Sequence, residues 1–131
     1  DACHLKLYIR REQMDEILKK QLQDGGINTD EIMERMMGSE ALMKKLLKKF
    51  LSDTNFSTLE KALSENDVEE AFRAAHTLKG VAGTLALTGM HSIAAEITEL
   101  LRNDSILQAK NKFPELADAY DSVIKMIEKL E

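Results

Sequence analysis

Residues 67–87 read DVEEAFRAAHTLKGVAGTLAL, and this stretch decides the fold. Asp67 with Glu70 three positions on is a capping box, so a helix is predicted to start here and run for about twenty residues. Projected at about 100° per residue with His76 at the origin, Ala71, Ala74, Ala75, Leu78, Val81, Ala82 and Leu85 gather on the far side. Glu69, Phe72, Arg73, His76, Lys79, Gly80 and Gly83 fall on the near side. A core stripe made largely of alanine lets neighbouring helices approach closely. The pattern therefore predicts a helix buried on one side only, with His76 at the centre of its solvent face.

Working outward, the flanking segments carry the same period. Downstream, Thr88 is expected to cap a helix with Met90, Ile93, Ala94, Ile97, Leu100 and Leu101 inward. Ser105 with Gln108 starts the last helix, whose stripe is Phe113, Leu116, Ala117, Tyr120, Val123, Ile124, Ile127 and Leu130. Pro114 is expected to bend it. Upstream, Ser39 caps a longer segment with Leu42, Met43, Leu46, Leu47 and Phe50 on one face. Its second half, with Phe56, Leu59 and Leu63, puts its stripe on nearly the opposite side. A kink near Ser52-Asp53-Thr54 would reconcile the two; the simpler expectation is that the halves face different neighbours. Asn28 with Glu31 caps a short helix that ends at Gly38. Before it, residues 10–23 look helical, with Met14, Ile17, Leu18 and Leu22 on one side, and Asp24-Gly25-Gly26 stops that helix. Leu5, Leu7 and Ile9 alternate as in a short strand.

Stripes on four long helices with short connections must bury against one another. The expected fold is all-α: an antiparallel up-down four-helix bundle over residues 27–131, with a short extra helix and an N-terminal helical extension over residues 1–26. Composition agrees. The 131 residues contain one proline and six glycines, too little turn chemistry for an all-β sandwich or barrel. Apolar residues at 44% and charged residues at 31% argue for a folded chain rather than a disordered one.

The same counts exclude several functions. With 18 basic and 23 acidic residues the net charge is −5, which disfavours a nucleic-acid partner. No apolar run is long enough to span a bilayer and no signal-peptide pattern opens the chain, so no direct membrane contact and a cytoplasmic location are expected. The single cysteine, Cys3, has no internal disulfide partner. His76 and His91 lack ligands at the usual helical spacing, so no metal site is expected. Phosphate-binding glycine loops, kinase motifs and a serine or cysteine nucleophile beside a base are all missing.

The near face of the decisive helix breaks the local rules. Gly80 and Gly83 sit mid-helix, where each costs about 1 kcal/mol relative to alanine. They are placed where alanine would meet no packing conflict, and such exceptions concentrate at functional sites. Lys79 is one turn from His76; a cation there favours the neutral, nucleophilic ring and can neutralise an anion attached to it. Phe72 on the same face is expected to be an exposed aromatic suited to an interface. The exposed nucleophile, the cleared space and the cation together point to a histidine phosphorylated by a docking partner.

His76-Thr77-Leu78-Lys79-Gly80, followed by Ala82-Gly83 and Leu85, resembles the H-x-L-K-G signature of histidine-containing phosphotransfer (HPt) domains. The resemblance extends over roughly residues 27–130 in helix order and spacing. It implies that His76 accepts a phosphoryl group from the aspartate of a response-regulator receiver domain and passes it to another. It further implies that Lys79 assists by charge, and that Phe72, Arg73, Gly80 and Gly83 meet the partner. The chain would then be a monomeric carrier with no cofactor or catalytic machinery of its own, with Mg2+ on the receiver and a sensor or hybrid histidine kinase upstream. Family members often carry a further glycine ten positions after the histidine; here it is Ala86, which concerns the local turn only. Lys44, Lys45, Lys48 and Lys49 form a basic face, ordinarily just solvated, that an acidic receiver surface would also fit. Two alternatives stay open: the phosphoacceptor domain of a larger chemotaxis-type kinase, and an adaptor bundle without chemistry.

Overall fold

The structure is a computed structural model that describes residues 16–130. Cys3 and the strand-like alternation of Leu5, Leu7 and Ile9 lie outside the described residues, as does Met14. Within them the chain forms α1 (16–24), α2 (Thr29–Arg35), α3 (Glu40–Phe50), α4 (Asn55–Ser64), α5 (Val68–Thr84), α6 (Thr88–Arg102) and α7 (Ile106–Glu128). No strand occurs among them; Ile27 and Leu87 form one isolated antiparallel bridge that ties α1's exit to the α5–α6 turn.

Each helix of the bundle packs on its neighbour in sequence, α4 on α5, α5 on α6 and α6 on α7, and α7 closes the ring against α4. The fold class is the expected all-α bundle. Its core is a continuous cluster in which Ala71, Ala74, Ala75, Leu78 and Ala82 of α5 are fully buried against Leu59, Ala94, Ile97, Leu116 and Ile127. The first helices cover one end: Leu22, Ile32, Met36, Met43 and Leu47 all join the same core. Gly25 lies so close to α7 that a Cβ there would come within 2.7 Å of the Met126 Cβ.

Several caps form as expected. The side chains of Asn28, Ser39 and Asp67 accept hydrogen bonds from the backbone N–H of Glu31, Leu42 and Glu70. Two expected caps do not form. Thr88 is the first residue of α6 rather than its cap, and its hydroxyl donates to the Gly26 carbonyl at 3.3 Å. Ser105 precedes α7 but makes no side-chain cap bond. α7 runs through Pro114 without ending.

The long segment after Ser39 is broken at the kink near Ser52-Asp53-Thr54, and its halves also face different main neighbours, α4 on α5 and α3 on α2 and α7. α3 tightens through three short-range bonds ending with the Asp53 N–H on the Phe50 carbonyl, and Asp53 then accepts from the Asn55 N–H at 2.9 Å to start α4. The two halves share one aromatic contact on α7. Phe56 stacks on Tyr120 with ring centroids 4.0 Å apart and on Phe113 at 5.2 Å, while Phe50 meets Tyr120 edge-on at 5.9 Å. Burial there, with the Asp53 charge nearby, pushes the Tyr120 hydroxyl above its ordinary range.

The turns share one geometry. After α1, α2, α4, α5 and α6 a residue in the left-handed region is followed by an N–H that reaches back five residues, as in Leu87 to the Ala82 carbonyl at 2.8 Å. Only the first of these left-handed positions is glycine (Gly26); the others are Met37, Asn66, Ala86 and Asp104, with φ between 53° and 57°. Among the described residues no helix is long and apolar enough to cross a membrane.

Met37 is the bulkiest of these residues and is 91% exposed, so its side chain contributes little packing to offset the left-handed backbone. Met37→Gly is expected to raise the unfolding free energy by about 1 kcal/mol, read as a higher urea midpoint at unchanged slope. An equal or lower midpoint would show that the turn carries no such strain.

Candidate functional site

The geometry begins with the one-sided burial of α5. Its alanine stripe sits against α4 and α6, so the opposite face is turned outward, and His76 is exposed at its middle. One turn before it, the Phe72 ring lies parallel to the imidazole, with interplanar angle 2° and centroids 5.9 Å apart. This offset stack gives the ring a wall to rest on. Phe72 is not the freely exposed aromatic expected from the sequence. It is half-buried against the core, and the Arg102 guanidinium from the end of α6 lies 5.1 Å from its ring centroid.

Arg73 is exposed but engaged. It forms a two-bond ion pair with Glu70 one turn back, with Nε to Oε2 at 3.1 Å. Its hydrogen bonds and charge hold the Glu70 carboxyl below the usual carboxylate range. Lys79, half-buried one turn after His76, makes no ion pair or hydrogen bond among the described residues. Its charge is uncompensated beside the imidazole.

The two glycines differ. A Cβ at Gly80 would meet nothing, so the helix surface there is open. A Cβ at Gly83 would stand 3.1 Å from Cδ2 and 3.4 Å from Nε2 of His91, so this glycine leaves room for a second imidazole arriving from α6. Beside it, Arg35 of α2 donates to the carbonyls of Gly83 and, at 3.2 Å, Thr84, while also pairing with Glu31. Carbonyls at a helix C-terminus carry partial negative charge, and a guanidinium there offsets it. Ala86 follows in the left-handed conformation, so the helix leaves by the turn that a glycine would favour.

These side chains share one surface depression. Arg35, His76, Lys79 and His91 stand around it, and Gly80, Gly83 and Thr84 complete it. Its lining is basic and contains no carboxylate, although the chain carries a net charge of −5. On the other flank of α5 lies an apolar groove against α3, formed by Leu46, Phe50, Val81 and Leu85 with Lys49 and Asp53. Gly80 and Thr84 belong to both hollows, so α5 is the ridge between them. No cluster of three or more potential metal ligands occurs among the described residues.

Arg35 and His91 were not legible as site residues in the sequence. Each comes from a different element and meets α5 only through the turns, and neither belongs to the helical period that marks His76, Lys79 and Gly80.

Comparison with known proteins gives one assignment. The family model for the Hpt domain matches residues 45–129, a span that holds α4 to α7 and most of α3 and leaves out α1 and α2. No solved structure matches the chain. Hpt domains are phosphotransfer carriers that work with receiver domains and histidine kinases. With well over half of the chain matched, the protein belongs to the Hpt domain family.

Proposed function

We propose that this protein is a cytoplasmic histidine phosphocarrier of a two-component His–Asp relay, loaded on His76 by the aspartyl phosphate of one receiver domain and unloaded onto the aspartate of another. The observation that carries this is the exposed His76 ring beside an uncompensated Lys79, in a depression free of carboxylates. The residues present supply a nucleophile and positive charge, and the receiver supplies the magnesium ion and the activated phosphoryl group.

In the loading step the lone pair of His76 Nε2, the ring nitrogen with the longer reach from the helix, attacks phosphorus. The P–O bond to the receiver aspartate breaks, and its electron pair leaves with the carboxylate as the P–N bond forms. The ring keeps its Nδ1 proton and becomes a phosphorylated imidazolium. Unloading reverses these bonds on a second aspartate. Such transfer is governed by positioning and charge neutralisation. Lys79 provides charge to the phosphoryl oxygens as a flexible cation. Phe72 fixes the imidazole, Arg73 with its partner Glu70 belongs to the rim, Gly80 lets the receiver's loops reach the ring, and Gly83 admits His91 beside them. The apolar groove against α3, edged by Lys49 and Asp53, is the second half of that landing surface.

The decisive experiment loads the protein from a receiver domain radiolabelled with acetyl phosphate in magnesium. Acid-labile, base-stable label is expected on the wild type and none on His76→Gln. Lys79→Gln is expected to keep the label but slow its appearance by about 10- to 100-fold. Label on His76→Gln, or none on the wild type across several receivers, would leave an adaptor bundle as the better account.

Gly80→Ala separates clearance from folding. The open surface predicts a gain in stability of about 1 kcal/mol from helix propensity. Transfer from the receiver is expected to slow in the same variant. Unchanged transfer would show that Gly80 is not needed for close approach.

A further inference from the structure

We infer that His91 is a second, pH-responsive positioning residue of the site, which turns toward the phosphoryl group carried on His76 and strengthens its hold when protonated. The proposal rests on the carrier reading of His76, and four observations support it.

His91 and His76 border the same depression, although they arrive on successive helices. The Cδ2–Nε2 edge of His91 is seated against Gly83, which lies two turns from His76 on the same face of α5. A glycine at that position is thereby explained, since any side chain would press on the imidazole. Neither ring nitrogen of His91 has a hydrogen-bond partner among the described residues, and neither is an unsatisfied buried atom, so both remain open to a ligand or to water.

The fourth observation is the charge around it. From α2 the depression receives Arg35, already engaged by Glu31 and by the carbonyls that end α5. From α5 it receives His76 and Lys79, and α7 contributes no lining residue. Histidine is the side chain whose charge ordinarily changes between about pH 5 and 8, and His91 is the lining histidine that does not carry the phosphoryl group. A phosphoryl dianion on His76 adds the negative charge that this basic hollow lacks. It therefore favours the protonated form of His91, and by reciprocity protonated His91 favours the phosphorylated carrier. The phosphoryl share held by the carrier, against a given receiver, should rise as pH falls through the range in which His91 protonates.

The test uses zwitterionic phosphoramidate, whose P–N bond breaks with ammonia leaving as the P–N bond to the imidazole forms. No receiver is needed, so failure of relay transfer and failure of this inference are separate results. Mass spectrometry places the phosphoryl group on His76. The ring resonances of His91, assigned by their loss in His91→Gln, are then followed by NMR across pH 5–9 with and without the phosphoryl group. The expected result is an upward move of the His91 titration midpoint by about half a pH unit, roughly threefold in proton affinity. A move upward of about 0.2 pH unit or more supports the assignment, and a smaller or downward move overturns it. Free inorganic phosphate with the unmodified protein is the second arm. A midpoint that moves with free phosphate but not with phosphorylated His76 also overturns it. In receiver equilibration, wild type is expected to gain carrier-bound label between pH 8 and pH 6 relative to His91→Gln, and parallel profiles would count against the proposal.

Discussion

Close contact between α5 and its two neighbours, made on alanine, is the constraint on which the rest depends. Ala71, Ala74, Ala75 and Ala82 have no accessible surface, and with Leu78 they make the stripe on which the helices meet. Because this stripe is narrow, one half of α5 is fully committed and the other is free to carry side chains that make no packing contribution. His76 and Lys79 occupy that free half, and the glycines interrupt it. A broader stripe of leucines would have moved the neighbouring helices outward and taken part of the solvent face with it. The site is thus an outcome of how tightly the helix is held from behind.

From the front, it is completed by residues from other helices. α6 brings His91 against Gly83, and the end of α6 brings Arg102 over Phe72. α2, which lies outside the residues matched to the Hpt family, brings Arg35 to the last carbonyls of α5. Arg35 serves the helix end and the depression at once, since one guanidinium both offsets the C-terminal dipole and adds to the positive lining. Glu31 and Glu70 absorb charge from Arg35 and Arg73, which leaves Lys79 as the unshared fixed cation next to the imidazole.

The helices and the outward position of His76 were legible because both follow from a 3.6-residue period and from side-chain caps at Asn28, Ser39 and Asp67. The turns were harder to read. Four of the five left-handed positions are filled by Met37, Asn66, Ala86 and Asp104 instead of glycine, so the usual sequence mark of a helix end is missing where the backbone makes one. Thr88 and Ser105 carried cap-like residue types whose side chains are not used as caps, Thr88 because its hydroxyl reaches Gly26. The out-of-phase stripes on either side of residues 51–54 were visible, but their resolution was not: only the convergence of Phe50 and Phe56 on Tyr120 shows why the chain must break there. Phe72 was misread as free because a wheel shows its direction but not Arg102 on the next helix. Arg35 and His91 reach the site by tertiary contact alone, which no local pattern encodes.

The aromatic stack between α4 and α7 has a kinetic corollary. The largest contacts of the α4–α7 ring join helices adjacent in sequence, and such contacts form without the entropy of closing a long loop. Phe56 against Phe113 and Tyr120 is the one seal of the ring that must bridge α5 and α6 in between. Folding is therefore expected to order itself by loop length, with the α5–α6 hairpin early and the aromatic seal late. High φ-values at Ala94 with low ones at Phe56 would show this, and the reverse would refute it. On that order, the imidazole, its lysine and its neighbouring helix meet before the domain has closed. The transition state for folding then already contains the outer face of α5 on which His76 stands.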